Sequence, residues 1–167
     1  AAMDAGDAVR ASVSNLTLTH GETYFVVVTC YNREGASATA SSSGVIVDIT
    51  PPDVIPSSDV VLVIGSSTLQ VDWQAGADSE SGVQYYKVAV GTTPFGGQIH
   101  PYTNVGTTTT YSASAEGVVT GTKYYASILV VNRAGLRSVS LSDPVYVDRT
   151  PPRAGSVFDG VVEGIDS

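Results

Sequence analysis

Cysteine is nearly absent from this chain: Cys30 is the only one among 167 residues. An internal disulfide is therefore excluded, and stability must come from a packed core, which a unit of about 100 residues can supply without staples. Histidine is almost as scarce, with only His20 and His100. That excludes zinc held by a Cys/His set. No nucleophile elbow or triad-like arrangement accompanies the two histidines, and no glycine loop opens a helix to cradle phosphate, so the chain reads as non-catalytic. Basic residues are few: 8 Lys and Arg stand against 16 Asp and Glu, for a net charge of −8. Nucleic acid and anionic membrane surfaces want the opposite balance and are excluded as partners. No stretch approaches the 18 or so apolar residues of a membrane span. The start, Ala1-Ala2-Met3-Asp4, has no basic segment leading into an apolar run, so no secretory signal is visible in it.

What is present points to β structure. Hydrophobic residues make up 43% of the chain, enough for a core. The apolar set is dominated by Val and Ala and joined by nine Tyr, and Val, Tyr and Thr suit a pleated, half-buried surface. Seventeen Gly and eight Pro are spread along the chain, as short strands with frequent turns require. No segment sustains a helical period.

The chain also repeats itself. Shifted by 100 residues without a gap, Gly21, Tyr24, Asn32, Arg33, Gly35, Ser42, Val45, Val47, Asp48, Thr50, Pro51 and Pro52 recur as Gly121, Tyr124, Asn132, Arg133, Gly135, Ser142, Val145, Val147, Asp148, Thr150, Pro151 and Pro152. These are 12 identities between 20–52 and 120–152, where chance gives about two. Residues 51–150 then make one complete repeat, 1–50 the carboxy-terminal half of the preceding one, and 151–167 the start of the next. Each repeat is domain-sized, so the pattern is a string of globules. At the joints stand Asp48-Ile49-Thr50-Pro51-Pro52 and Asp148-Arg149-Thr150-Pro151-Pro152. A Pro-Pro pair fixes two φ angles and ends strand pairing, so each joint is expected to be stiff.

Alternation predicts seven strands in the complete repeat: 60–64, 68–73, 85–90, 99–104, 109–115, 124–132 and 144–148. Seven short strands with turns between them predict an antiparallel sandwich. The spacing Val118-x-x-Gly121-x-x-Tyr124-x-Ala126-x-Ile128-x-Val130-x-Asn132-x-x-Gly135 resembles the fibronectin type III pattern around its sixth strand, and Leu18 to Gly35 repeats it. Trp73, closing Leu69-x-Val71-x-Trp73, is similar to that family's core tryptophan. The joints, with Asp78-Ser79-Glu80-Ser81-Gly82, resemble arrays in large secreted or surface fibre proteins, hyalin-like and mastigoneme-like. The resemblance implies an all-β, seven-stranded Ig-like or fibronectin type III-like sandwich in tandem repeats of about 100 residues.

The singled-out residues divide into core and surface. Tyr24 and Tyr124 are expected to form tyrosine corners, ring buried and hydroxyl bonded to nearby backbone, with Gly21 and Gly121 relieving strain at the turn. Trp73 is expected to fill the space between the sheets. Cys30 alternates in phase with Tyr24, Val26 and Val28, so it is expected to face inward as an inert thiol. Among acidic residues, Asp48, Asp78, Glu80 and Asp148 are the calcium candidates, with Asp53 also at a joint. Calcium needs six to eight oxygens, so the carboxylates would have to converge; otherwise Asp78 and Glu80 simply shape a turn in water. No other cofactor is implied. Asn15-Leu16-Thr17 is the sole N-glycosylation sequon, and the Ser/Thr-rich stretches 37–43 and 107–110 read as solvated faces or O-glycan carriers.

These readings predict a structural or adhesive module of an extracellular, secreted or cell-surface multi-repeat protein. Its expected partners are other repeats of the same chain, self-assembled copies in a fibre, and extracellular proteins or glycans. Strand donation by the tail fits poorly, because 153–167 could supply about one strand where residues 1–50 lack three. The alternatives are a ligand-binding receptor ectodomain, for which Phe95, Tyr102 and Phe158 look too scattered, and an accessory domain of a secreted carbohydrate-active enzyme.

Overall fold

The computed structural model describes residues 3–156. Its only helix is a single 3-10 turn, Ser57–Asp59, and no helix among the described residues is long and apolar enough to cross a membrane. The strands run β1 (Thr23–Tyr24), β2 (Val27–Tyr31), β3 (Ser37–Ser41), β4 (Val45–Ile46), β5 (Val60–Ile64), β6 (Thr68–Trp73), β7 (Val83–Gly91), β8 (His100–Gly106), β9 (Thr110–Ser114), β10 (Lys123–Asn132), β11 (Arg137–Leu141) and β12 (Val145–Tyr146). The fold is all-β, an antiparallel sandwich.

In the second part of the chain, β5, β6 and β9 form one sheet in the order β5-β6-β9. The facing sheet has the order β11-β10-β7-β8, with β12 also on β10. Alternation makes this work. On β6, Leu69, Val71 and Trp73 are buried while Thr68 and Gln70 are exposed. On the opposite sheet Tyr86, Val88, Val90, Tyr124, Ala126, Ile128 and Val130 complete the same core. Trp73 meets Tyr86 edge to face at 5.6 Å between centroids, which suits the quadrupoles of both rings. Trp73 fills the intersheet space as expected, although its Nε1 finds no acceptor among the described residues.

The sequence reading needs one change here. It placed a last strand at 144–148 and none at 137–141. The structure splits that edge into β11 and β12, both paired with β10. Between them the ladder is carried by a side chain: Ser142 Oγ accepts from Ala126 N at 2.9 Å, while Ser142 N donates to Ala126 O at 2.9 Å. Arg137-Ser138-Val139-Ser140-Leu141 holds too few apolar residues to announce a strand, and Pro144 has no N–H to give one.

Residues 20–50 reproduce 120–150 almost bond for bond. Thr23 faces Ile46 as Lys123 faces Tyr146, and Val27 faces Ser41 as Ser127 faces Leu141. Gly21 N reaches Val47 O at 2.8 Å, and Gly121 N reaches Val147 O at 2.9 Å. Gly21 and Gly121 have φ of 80° and 84°, a left-handed conformation that side chains resist. The side-chain-carried break recurs too, with Ser42 Oγ accepting from Val26 N at 3.0 Å.

Burial separates the two copies. Tyr124 is 1% exposed and Tyr24 37%; Ile128 is 0% exposed and Val28 53%. Two expectations are corrected accordingly. Tyr24 keeps its hydroxyl bond, accepting from Thr19 N at 2.9 Å, but its ring is exposed rather than buried. Cys30 is exposed, whereas its counterpart Val130 is fully buried. Periodicity reports which face a residue takes; no second sheet covers that face in residues 3–50.

Candidate functional site

Acidic and amide side chains converge at the joint between these two parts. Residue 47 is held by the first part through Val47 N to Glu22 O at 3.0 Å. Residue 55 is held by the second through Ile55 N to Ser140 Oγ at 2.7 Å. In the connecting segment, Asp48 folds back on its own chain: Oδ1 accepts from Thr50 N at 2.9 Å and Thr50 Oγ1 at 3.2 Å. Its other oxygen, Oδ2, accepts from Ser81 Oγ at 2.5 Å and Asn132 Nδ2 at 2.7 Å. The carboxyl of Asp48 is held below the usual aspartate range, first by the Ser81 hydroxyl; desolvation opposes this next, and the Thr50 donors and then His20 add smaller lowering effects.

Asp78 is the second anchor. Its Oδ1 accepts from Ser81 N at 2.9 Å and Gly82 N at 2.7 Å, which shapes the turn leading into β7. Gly82 supplies the positive φ of 74° that this turn needs. Asp78 Oδ2 accepts from Asn132 Nδ2 at 3.0 Å. Asn132, fully buried at the end of β10, thus sits among three acceptors, Asp48, Asp78 and Thr50 O, while its own Oδ1 accepts from Leu136 N at 2.8 Å. Across the same joint His20 Nε2 lies 3.8 Å from Glu80 Oε1, an ion pair when the imidazole is protonated. Beside these groups lies an open crevice of about 600 Å³ lined in part by His20, Asp53, Asp78 and Glu80.

Of the four calcium candidates, the structure gathers three. Carboxylate oxygens of Asp48, Asp78 and Glu80 lie within 4.8 Å of one another, the one such group among the described residues. Asp148 is not with them; it occupies the following joint and among the described residues bonds only Thr150, whose hydroxyl and N–H hold its carboxyl below the usual range. The three could each offer a calcium ion one oxygen, fewer than the six to eight it takes. Asp48 and Asp78 also already receive N–H and O–H donors. Hydrogen bonding across a joint accounts for their convergence.

Sequence reasoning singled out the carboxylates but missed Ser81 and Asn132 as their receivers. Asn132 was visible as a repeat identity with Asn32 and as one position of the fibronectin type III-like spacing, and nothing in the order of residues showed which acceptors it would meet. Asn15 is exposed, at φ 59°. Phe95 and Tyr102 are less scattered than expected: Tyr102 Oη lies 3.5 Å from Phe95 O, and both rings are exposed. Phe158, like residues 157–167 in general, lies outside the described residues.

No protein-family model matches this chain, and no curated protein matches it in sequence. Solved structures do. Domains A168–A170 of titin match with a TM-score of 0.50 at 20% identity, over 77% of this chain and 42% of that one. The fold is fibronectin type III-like. The sixth fibronectin type III domain of human fibronectin type III domain containing protein 3 aligns over 65% of this chain and 94% of its own, at 20% identity and a TM-score of 0.46. An Fn3-like protein from Clostridium thermocellum aligns over 61% and 100%, at 22% identity and a TM-score of 0.33.

Proposed function

We propose that this chain is a non-catalytic structural or adhesive module, part of an extracellular fibre or cell-surface protein built from repeats of about 100 residues. Residues 51–150 are one such repeat, 1–50 the second half of its predecessor and 151–167 the beginning of its successor. The observation that carries this reading is the bond-for-bond match of 20–50 with 120–150, combined with the exposed apolar face of the first copy. A sheet with Tyr24, Val26 and Val28 in water is half of a sandwich. The joint supports a mechanical role, because it couples successive units by both proline stiffness and side-chain contacts.

Imaging the native material and weighing the intact polypeptide test this. The expected result is an elongated particle and a chain carrying further repeats on both sides. A compact native particle of 17.2 kDa would contradict it.

One observation favours a ligand-binding reading as the second choice. Phe95 is held at φ 61° and is exposed beside exposed Tyr102, and a strained backbone presenting an aromatic side chain at a surface suits recognition. Binding to a glycan or protein array that is lost in Phe95→Ala, with unchanged thermal stability, would support it. Equal binding by Phe95→Ala would remove it.

A further inference from the structure

The joint at Asp48 and the two outer ends of the described chain carry the same chemistry in different states. At Asp48 the parts are engaged: Oδ1 is used within the Asp48–Thr50 turn, and Oδ2 crosses to Ser81 and Asn132. Asn132 is oriented for this. Its Oδ1 is occupied by Leu136 N in its own turn, which aims Nδ2 at the joint. Asn32 repeats the receiving half: its Oδ1 accepts from Glu34 N at 3.0 Å and Ala36 N at 2.8 Å, and its Nδ2 meets no acceptor among the described residues. Asp148 repeats the aspartate half: its Oδ1 accepts from Thr150, and its Oδ2 meets no donor among the described residues.

We propose that the Asp-x-Thr-Pro-Pro segment is a latch between consecutive repeats. The aspartate that closes one repeat is received by the carboxamide and hydroxyl, here Asn132 and Ser81, of the next. Asp148 and Asn32 are the open halves of the flanking joints, each fitting another repeat of the same array. This rests on the array reading above. The receiver and the latch lie near opposite ends of β10, which spans Lys123–Asn132, about 30 Å at a strand's rise. The contact is therefore head-to-tail and adds units in a line rather than closing a pair. Proline restricts the joint to a range of angles, and the buried Asn132 contact selects one of them.

Residual dipolar couplings on the 167-residue chain test the latch. In the unmodified chain, residues 20–47 and 60–147 are expected to fit a single alignment tensor. Asp48→Ala is expected to require two tensors with each part's internal couplings unchanged, and Asp148→Ala is expected to keep one. Two tensors in the unmodified chain, or one tensor in Asp48→Ala, would overturn the latch. If Asp48→Ala loses spectral dispersion, the unmodified chain decides through side-chain amide exchange. Asn132 Nδ2 hydrogens should then exchange at least ~10-fold more slowly than those of Asn32, and equal rates would overturn the proposal. A failed latch leaves repeats strung on free joints, so the array reading survives it. A compact 17.2 kDa native particle removes the array while the Asp48 contact stands.

Discussion

Tyr124 and Tyr24 make the same hydroxyl bond, at 2.7 Å from Val119 N and 2.9 Å from Thr19 N, yet one ring is buried and the other exposed. Tyr124→Phe should destabilise the second part by about 1 kcal/mol in urea unfolding, the worth of one such bond. Tyr24→Phe should change little there. Trp73→Ala should cost about 3–5 kcal/mol, because it empties the space between the sheets. Trp73 and Tyr124 were legible as core because alternation and the resemblance agreed. Cys30 was misread because its phase in the strand is right and its cover is missing. Its thiol should therefore react with Ellman's reagent at the rate of an open cysteine in the native chain; protection until unfolding would show that something covers β2.

Among elements, the break between β11 and β12 depends on one hydroxyl. Ala126 N is buried, and Ser142 Oγ is its acceptor. Ser142→Ala should cost about 1–3 kcal/mol, because it orphans a buried donor. Ser42→Ala should cost less, because water can replace the lost acceptor at exposed Val26. Equal losses would show that burial does not set the difference. All seven strands read from alternation appear in place within a residue or two. The additional strand at 137–141 was not read, because its serines and arginine follow no apolar rhythm and its pairing is decided by β10. The joint was legible as a stiff proline hinge and as a set of carboxylates. Its receivers were not, because Ser81 and Asn132 lie 33 and 84 residues from Asp48, and only folding brings them together.

For the molecule as a whole, the joint should respond to acid and the two parts should differ in cohesion. Asp48 has a folded pKa below the ordinary aspartate value of about 3.9. Its contribution is thus complete above that value and fades as pH falls through the lower folded one. Carbon-detected titration should show the Asp48 midpoint rising in Ser81→Ala, while Asp148, held by Thr150 at the following joint, stays put. Cohesion is the deeper matter. The ladders of β2 with β3 and of β10 with β11 have the same register, but β10 is also paired with β7 on its other edge and covered by the facing sheet, while β2 has neither support among the described residues. Amide hydrogen exchange read by mass spectrometry compares them most directly. If 51–150 is a closed sandwich and 3–50 an uncovered half, amides of β10 should be protected to the global unfolding limit while those of β2 exchange at least ~100-fold faster. Matching protection in both strands would contradict the account.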